Sequence, residues 1–181
     1  MIHEIILNPD EICAWISDPS DAELTKSILE MFRKYDLTYK IRTDDVRLRI
    51  YCYIKKSKET LIINTKGYRW GDFDIQMRIT NPAALEMLDE YPQNIRDHIL
   101  NADNCRKCWN CGKEYVFTYR GAEYRKCCML CNNFTFHQFN DEDRETILRM
   151  IYDEICFAIP RQKRHLLEKK SDRVIKIKGA I

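Results

Sequence analysis

Glycine and proline are scarce, five of each among 181 residues. That excludes collagen-like and low-complexity chains and leaves few forced breaks in secondary structure. No apolar run approaches the length of a bilayer span, so no membrane partner is expected. No internal repeat or biased tract is present. Histidines number four, His3, His98, His137 and His165, and they are scattered. There is no glycine-rich phosphate loop, no H-E-x-x-H and no nucleophile elbow, so no catalytic or organic-cofactor residue is assigned and the expectation leans away from an enzyme. The start, Met1-Ile2-His3-Glu4, is acidic rather than basic and is soon followed by Pro9. This does not read as a signal peptide, and a cytoplasmic, bacterial-type protein with reduced thiols is expected.

Charge and apolar content are ample. The chain is 45% hydrophobic and 32% charged, enough for a core and a solvated surface. Net charge is only +2, but it is unevenly spread. Residues 1–104 hold 14 basic and 18 acidic side chains, 105–131 hold 6 and 2, 132–159 hold 2 and 6, and 160–181 hold 8 and 2. Two basic segments in an otherwise acidic chain point to an anionic partner.

Cysteine is the residue in surplus. Six of nine fall between 105 and 131: Cys105, Cys108, Cys111, Cys127, Cys128 and Cys131. Cys108-x2-Cys111 and Cys128-x2-Cys131, sixteen residues apart, fit a tetrahedral Zn²⁺ site. Two intervening residues let a tight turn aim both sulfurs at one ion, and Gly112 suits such a turn because glycine accepts positive φ. Cys105 and Cys127 are alternate ligands, since Cys105-x2-Cys108 and Cys127-x3-Cys131 also pair. An iron–sulfur cluster is the minor alternative; the fourth cysteine and the proline of its usual run are missing. His137 could replace a thiolate, although an ordinary strand-end histidine is the simpler reading. A closed four-thiolate site implies a structural rather than a catalytic metal. Cys13, Cys52 and Cys156 stand singly in apolar patterns and read as small buried hydrophobes. A cysteine-based enzyme, its thiol activated beside Arg106, Lys107 or Lys126, is the less favoured reading.

The element pattern predicts an α+β fold. Asn8-Pro9 opens a short helix. Ser20 and Glu23 form a capping box for a helix carrying Leu24, Ile28, Met31, Phe32 and Tyr35. Residues 37–43, 46–55, 60–65 and 73–79 alternate or run apolar as strands, and the short links between them predict a four-stranded antiparallel meander. Helices follow at Pro82 and around Ile95–Ile99, and Asn140 caps a long one. Between the cysteine pairs, 114–119 and 123–126 form a hairpin turning at Arg120-Gly121-Ala122, with Phe134-Thr135-Phe136 as its third strand. The close of the chain, Val174–Lys178, looks like a strand in a basic tail. The expected organisation is an α+β domain over 1–104, a ribbon-like module over 105–139, a helix packing back over 140–159, and the tail over 160–181.

Knuckle, hairpin and knuckle over 108–131 resemble the zinc-ribbon superfamily, which implies a structural zinc and spans many functions. The whole layout, with Tyr124-Arg125-Lys126-Cys127 and the Asn140-capped helix, resembles more loosely a group of bacterial proteins that join a small α+β domain to a cysteine cluster. In that group the closing ligand could correspond to Cys127.

The binding surface expected from the pattern is the outward parity of the meander. Arg42, Arg47, Arg49, Tyr51 and Tyr53 share it, and the Lys66–Gly71 loop adds Trp70. Basic residues between aromatics on a sheet can neutralise phosphates and stack bases. Arg125, Lys126 and the tail add charge. Nucleic acid or another polyanion is the expected partner. A small-molecule sensor with a pocket near Trp70, or a protein-interaction module, is the alternative.

Overall fold

The computed structural model describes residues 3–5, 7–44, 47–54, 60–65, 73–104, 115–126 and 134–178. Its elements are β1 (His3–Ile5), α1 (Pro9–Cys13), α2 (Pro19–Lys34), β2 (Thr38–Asp44), β3 (Arg47–Tyr53), β4 (Leu61–Asn64), β5 (Asp74–Met77), α3 (Ala83–Glu86), a 3-10 turn (Leu88–Glu90), α4 (Gln93–Leu100), β6 (Tyr115–Tyr119), β7 (Ala122–Lys126), β8 (Phe134–His137), α5 (Asp141–Ala158) and α6 (Arg161–Lys178). The α+β class and the antiparallel meander are as expected. Strands β2 to β5 pair in sequence, and β1 and β8 extend them to six in the order β1-β2-β3-β4-β5-β8.

Pairing register builds the core. Ile41, Ile50, Ile63, Ile75 and Phe136 lie opposite one another across five strands. Cys52, Leu61, Met77 and Phe134 form the next row. Both rows are buried with Leu24, Ile28, Leu29 and Phe32 of α2, Ile95 and Ile99 of α4, and Ile147, Met150, Ile151 and Ile155 of α5. Alternation in the strands and helical spacing in the helices thus place every apolar set on one interface.

One cap differs from expectation. Asp18, not Ser20, caps α2, its Oδ1 accepting from the Ser20 and Asp21 amides. Pro19 at the first helical position holds the preceding residue extended, which is the N-cap conformation. Asn140 caps α5 as expected, with Asp143 closing a reciprocal box. The buried Asp143 also accepts from Asn94 of α4 at 2.9 Å, tying the two helices.

Two further expectations are corrected. The third strand of the ribbon is a strand of the main sheet instead: β8 pairs with β5, while β6 and β7 form a separate two-stranded hairpin. Phe136 is fully buried there and Phe134 nearly so, whereas the hairpin itself buries only Phe117 among its apolar side chains. The larger apolar surface captures β8. The Val174–Lys178 segment continues α6 rather than forming a strand. Its alternation is short and follows a run of helix-favouring Lys, Arg, Leu and Glu.

Candidate functional site

The six clustered cysteines lie outside the described residues, as does Trp70. The ends of the two cysteine-bearing segments are described. Lys126, which precedes the second segment, pairs with Tyr115, which ends the first. It also bridges to Asn104, where the first begins. Tyr115 in turn packs its ring 5.7 Å from that of Phe134, where the second segment ends. Residues 104, 115, 126 and 134 are therefore gathered at one end of the hairpin. Its other end closes as expected at Arg120 and Gly121, both at positive φ, the geometry of a two-residue hairpin loop.

Lys126 holds this junction. It is 4% exposed, and its ammonium donates to Leu100 O at 2.5 Å, Ala102 O at 2.8 Å and Asn104 Oδ1 at 3.1 Å. All three N–H groups are thus committed to the turn after α4, and burial pushes the ammonium's pKa down. A phosphate contact was expected from this residue; the geometry makes it a brace. The Tyr115 hydroxyl donates to Ile79 O and fixes the hairpin to the chain just after β5.

Among the described residues no three His, Cys, Asp or Glu side chains are grouped to hold a metal. Cys52 is fully buried, and burial raises its thiol pKa. Cys13 donates to Ala22 O at 3.3 Å, and burial raises its pKa as well. Cys156 is not simply an apolar filler: Arg164 donates to its sulfur at 2.5 Å. His137 ends β8, as expected of a strand-end histidine. His98, on α4, is half-buried. Its ring lies 5.9 Å from Phe136 and 4.4 Å from His137, and its Nδ1 is 2.7 Å from Asn94 O.

The outer sheet face divides into an open and a closed half. On β2 and β3, Arg42 lies opposite Arg49, Lys40 opposite Tyr51, and Thr38 opposite Tyr53. Thr38, Lys40 and Arg42 are exposed; Arg49, Tyr51 and Tyr53 are half-buried. The Arg42 guanidinium sits 5.1 Å from the Tyr51 ring centroid, a diagonal cross-strand cation–π contact. Arg47 belongs to β3 at the register of Asp44. From the next strand, β4, the face is closed, beginning at Asn64 directly opposite Arg49. Asn64 donates to Asp74 Oδ1 at 2.6 Å, and Asp74 is 1% exposed.

Arg125 is exposed on β7 and pairs with Glu123 at 2.8 Å. It and Lys126 belong to the hairpin, whose base meets β8 and the turn after α4. From β3 to β8 are three strand spacings, about 14 Å. The structure therefore brings Arg42, Arg49, Tyr51 and Tyr53 together and leaves Arg125 and Lys126 in a separate group. In the first half of the tail, two described side chains turn to the core instead: Glu168 accepts from the Tyr35 hydroxyl at 2.9 Å, and Arg164 meets Cys156.

A cleft of about 560 Å³ between α3 and β6 was not anticipated. Leu85, Glu86, Tyr115 and Phe117 are among its lining residues. No strand or helix periodicity announces a cleft between two elements joined through side chains, Tyr115 to Ile79 O and Tyr119 and Arg120 to Asp89 Oδ1. Among the described residues, no helix is long and apolar enough to cross a membrane. Compared with protein families, curated proteins and solved structures, the chain gives no match.

Proposed function

We propose that this chain is a non-enzymatic binding protein, braced by one structural Zn²⁺, that engages nucleic acid or a related polyanion through the open outer face of β2 and β3. The observation that carries the reading is the cluster of Lys40, Arg42 and Arg49 around Tyr51. Arg42, exposed on β2 beside the Tyr51 ring, sets positive charge where a phosphate would lie. The aromatic rings beside it offer stacking surface that a simple counter-ion site does not need.

Cys108, Cys111, Cys128 and Cys131 hold the metal in this reading, with Cys105 and Cys127 as alternates. Support comes from the ends of their segments, which meet at residues 104, 115, 126 and 134. Four thiolates leave no open coordination position, so the ion contributes folding free energy rather than chemistry.

The test is binding of the purified chain to a labelled oligonucleotide across a salt series. Affinity falls steeply as salt rises, and Arg42→Ala lowers the slope of log affinity against log salt by about one. Salt-independent binding, or no binding, overturns the reading. Elemental analysis finds about one Zn per chain on the same logic. The cleft beside α3 supports a second reading, a small-molecule sensor. A thermal-shift screen separates the two, since a sensor is stabilised by a small molecule and not by an oligonucleotide.

A further inference from the structure

Resting on the polyanion reading, we infer that the β2–β3 face takes single-stranded nucleic acid with its bases unstacked, one base on Tyr51 and the next on Tyr53. Three features of the geometry select this occupant over a duplex.

The first is width. The binding surface is a face of a six-stranded sheet, not a projecting helix or ribbon. Six strands at 4.8 Å spacing are roughly 24 Å across, against a major groove of about 12 Å. The face cannot enter a groove to reach base edges. The second is spacing. Tyr51 and Tyr53 are two residues apart on one strand and point to one side, so their platforms are about 6.8 Å apart. Bases within a duplex strand repeat every 3.4 Å or so and have both faces covered by neighbours. Consecutive bases reach both tyrosines only when the strand is extended and its bases are splayed. The third is the disposition of charge. Lys40 flanks Tyr51 across the ladder, and Arg42 and Arg49 lie one register step further along the same face. A phosphate backbone running along β2 and β3 passes these cations while its bases lie on the rings.

Arg42 occupies the Tyr51 ring in the absence of a partner. An exposed cation–π contact is the weaker of the two competing interactions, and base stacking on an aromatic is the stronger. The incoming base therefore displaces the guanidinium, which turns to the adjacent phosphate and makes a charge-assisted hydrogen bond there. The cation serves as a cover for the ring in the free protein and as an anchor in the complex. Thr38, exposed opposite Tyr53, provides a hydroxyl within reach of the sugar or phosphate of the second nucleotide.

The experiment uses the full chain and three fluorescent probes of equal length: oligo-dT, a mixed-sequence duplex, and an abasic deoxyribose-phosphate strand. Oligo-dT binds at least tenfold more tightly than the duplex and the abasic strand. Tyr51→Leu weakens oligo-dT binding about tenfold without changing the salt slope, and Tyr51→Phe retains it. Equal affinity for oligo-dT and the abasic strand overturns base stacking while leaving the polyanion reading in place. Duplex binding as tight as oligo-dT overturns single-strand selection. Absence of binding to all three removes both readings. The comparison of probes on the unmutated protein decides the matter even if Tyr51→Leu fails to fold.

Discussion

Replacing Lys126 by methionine isolates the brace at the hairpin base. Methionine keeps the unbranched apolar stem and removes the ammonium. Three acceptors then lose their donor: Leu100 O, Ala102 O and Asn104 Oδ1. Asn104 is exposed and rehydrates at little cost. Leu100 and Ala102 are half-buried, and each carbonyl left unmet costs about 1–2 kcal/mol. The lowered pKa of Lys126 shows that burying the charge is itself unfavourable, and the substitution recovers part of that. The expected net loss is about 2 kcal/mol, which for a chain of this size is a fall in melting temperature of roughly 4–8 °C. Urea denaturation followed by circular dichroism measures it, together with oligonucleotide affinity across a salt series on the folded variant. Stability should fall while the salt slope stays at its wild-type value, because no N–H of Lys126 is left over for phosphate. Unchanged stability with a shallower slope would refute the reasoning and restore Lys126 as a phosphate contact.

Other expectations follow from the same geometry. Glu154 of α5 is 2% exposed and accepts from Thr80 N at 2.8 Å, Thr80 Oγ1 at 2.5 Å and Asn81 N at 2.8 Å. Glu154→Ala leaves these donors unmet and opens a small void, so a loss of about 3 kcal/mol in denaturant unfolding is expected. Arg144 of α5 reaches Asp21 of α2 at 2.9 Å with both side chains mostly buried, and Arg144→Ala should cost about 2 kcal/mol, recovered in part by Asp21→Asn in the same chain. Burial pushes the Tyr91 phenol up to about 12, so the fold favours its neutral form. The unfolded chain loses that proton near pH 10 while the native state retains it. Stability is therefore whole below pH 10 and declines through about pH 12; Tyr91→Phe should flatten that decline in an alkaline melting series.

The meander was legible because three of its four strands alternate and short links join them all. With a period of two, register follows from which parity is apolar, and Ile41, Ile50 and Ile75 fall into line from that rule, while β4, a continuous apolar run, is placed by the short links on either side. The Arg42–Arg49–Tyr51 group was legible for the same reason, being the other parity of the same strands. The placement of β8 was not. Phe-Thr-Phe alternates equally well as a ribbon strand or a sheet strand, and only the competition between two apolar surfaces decides. Lys126 was misread because composition cannot distinguish a cation facing phosphate from one facing carbonyls. The same holds for α6, where Arg164 and Glu168 look like surface charge in a basic run yet contact Cys156 and Tyr35.

The position of β8 changes what a zinc site would stabilise. Were Phe134–His137 a third ribbon strand, the metal would secure a detachable module. Instead residue 134 opens a strand whose Phe136 is wholly buried in the core, and residue 126 closes a hairpin strand braced to α4. A metal linking the segments 105–114 and 127–133 thus closes a loop between hairpin and sheet, and its removal releases the entry into β8. Chelation should lower amide hydrogen-exchange protection in β8 and its partner β5 as well as in β6 and β7, with β2 and β3 protected longer. Cys108→Ser or Cys131→Ser should reproduce that pattern, and Cys13→Ser should not. Loss confined to residues 115–126 would show that sheet packing alone holds β8, and that the ion serves only the hairpin.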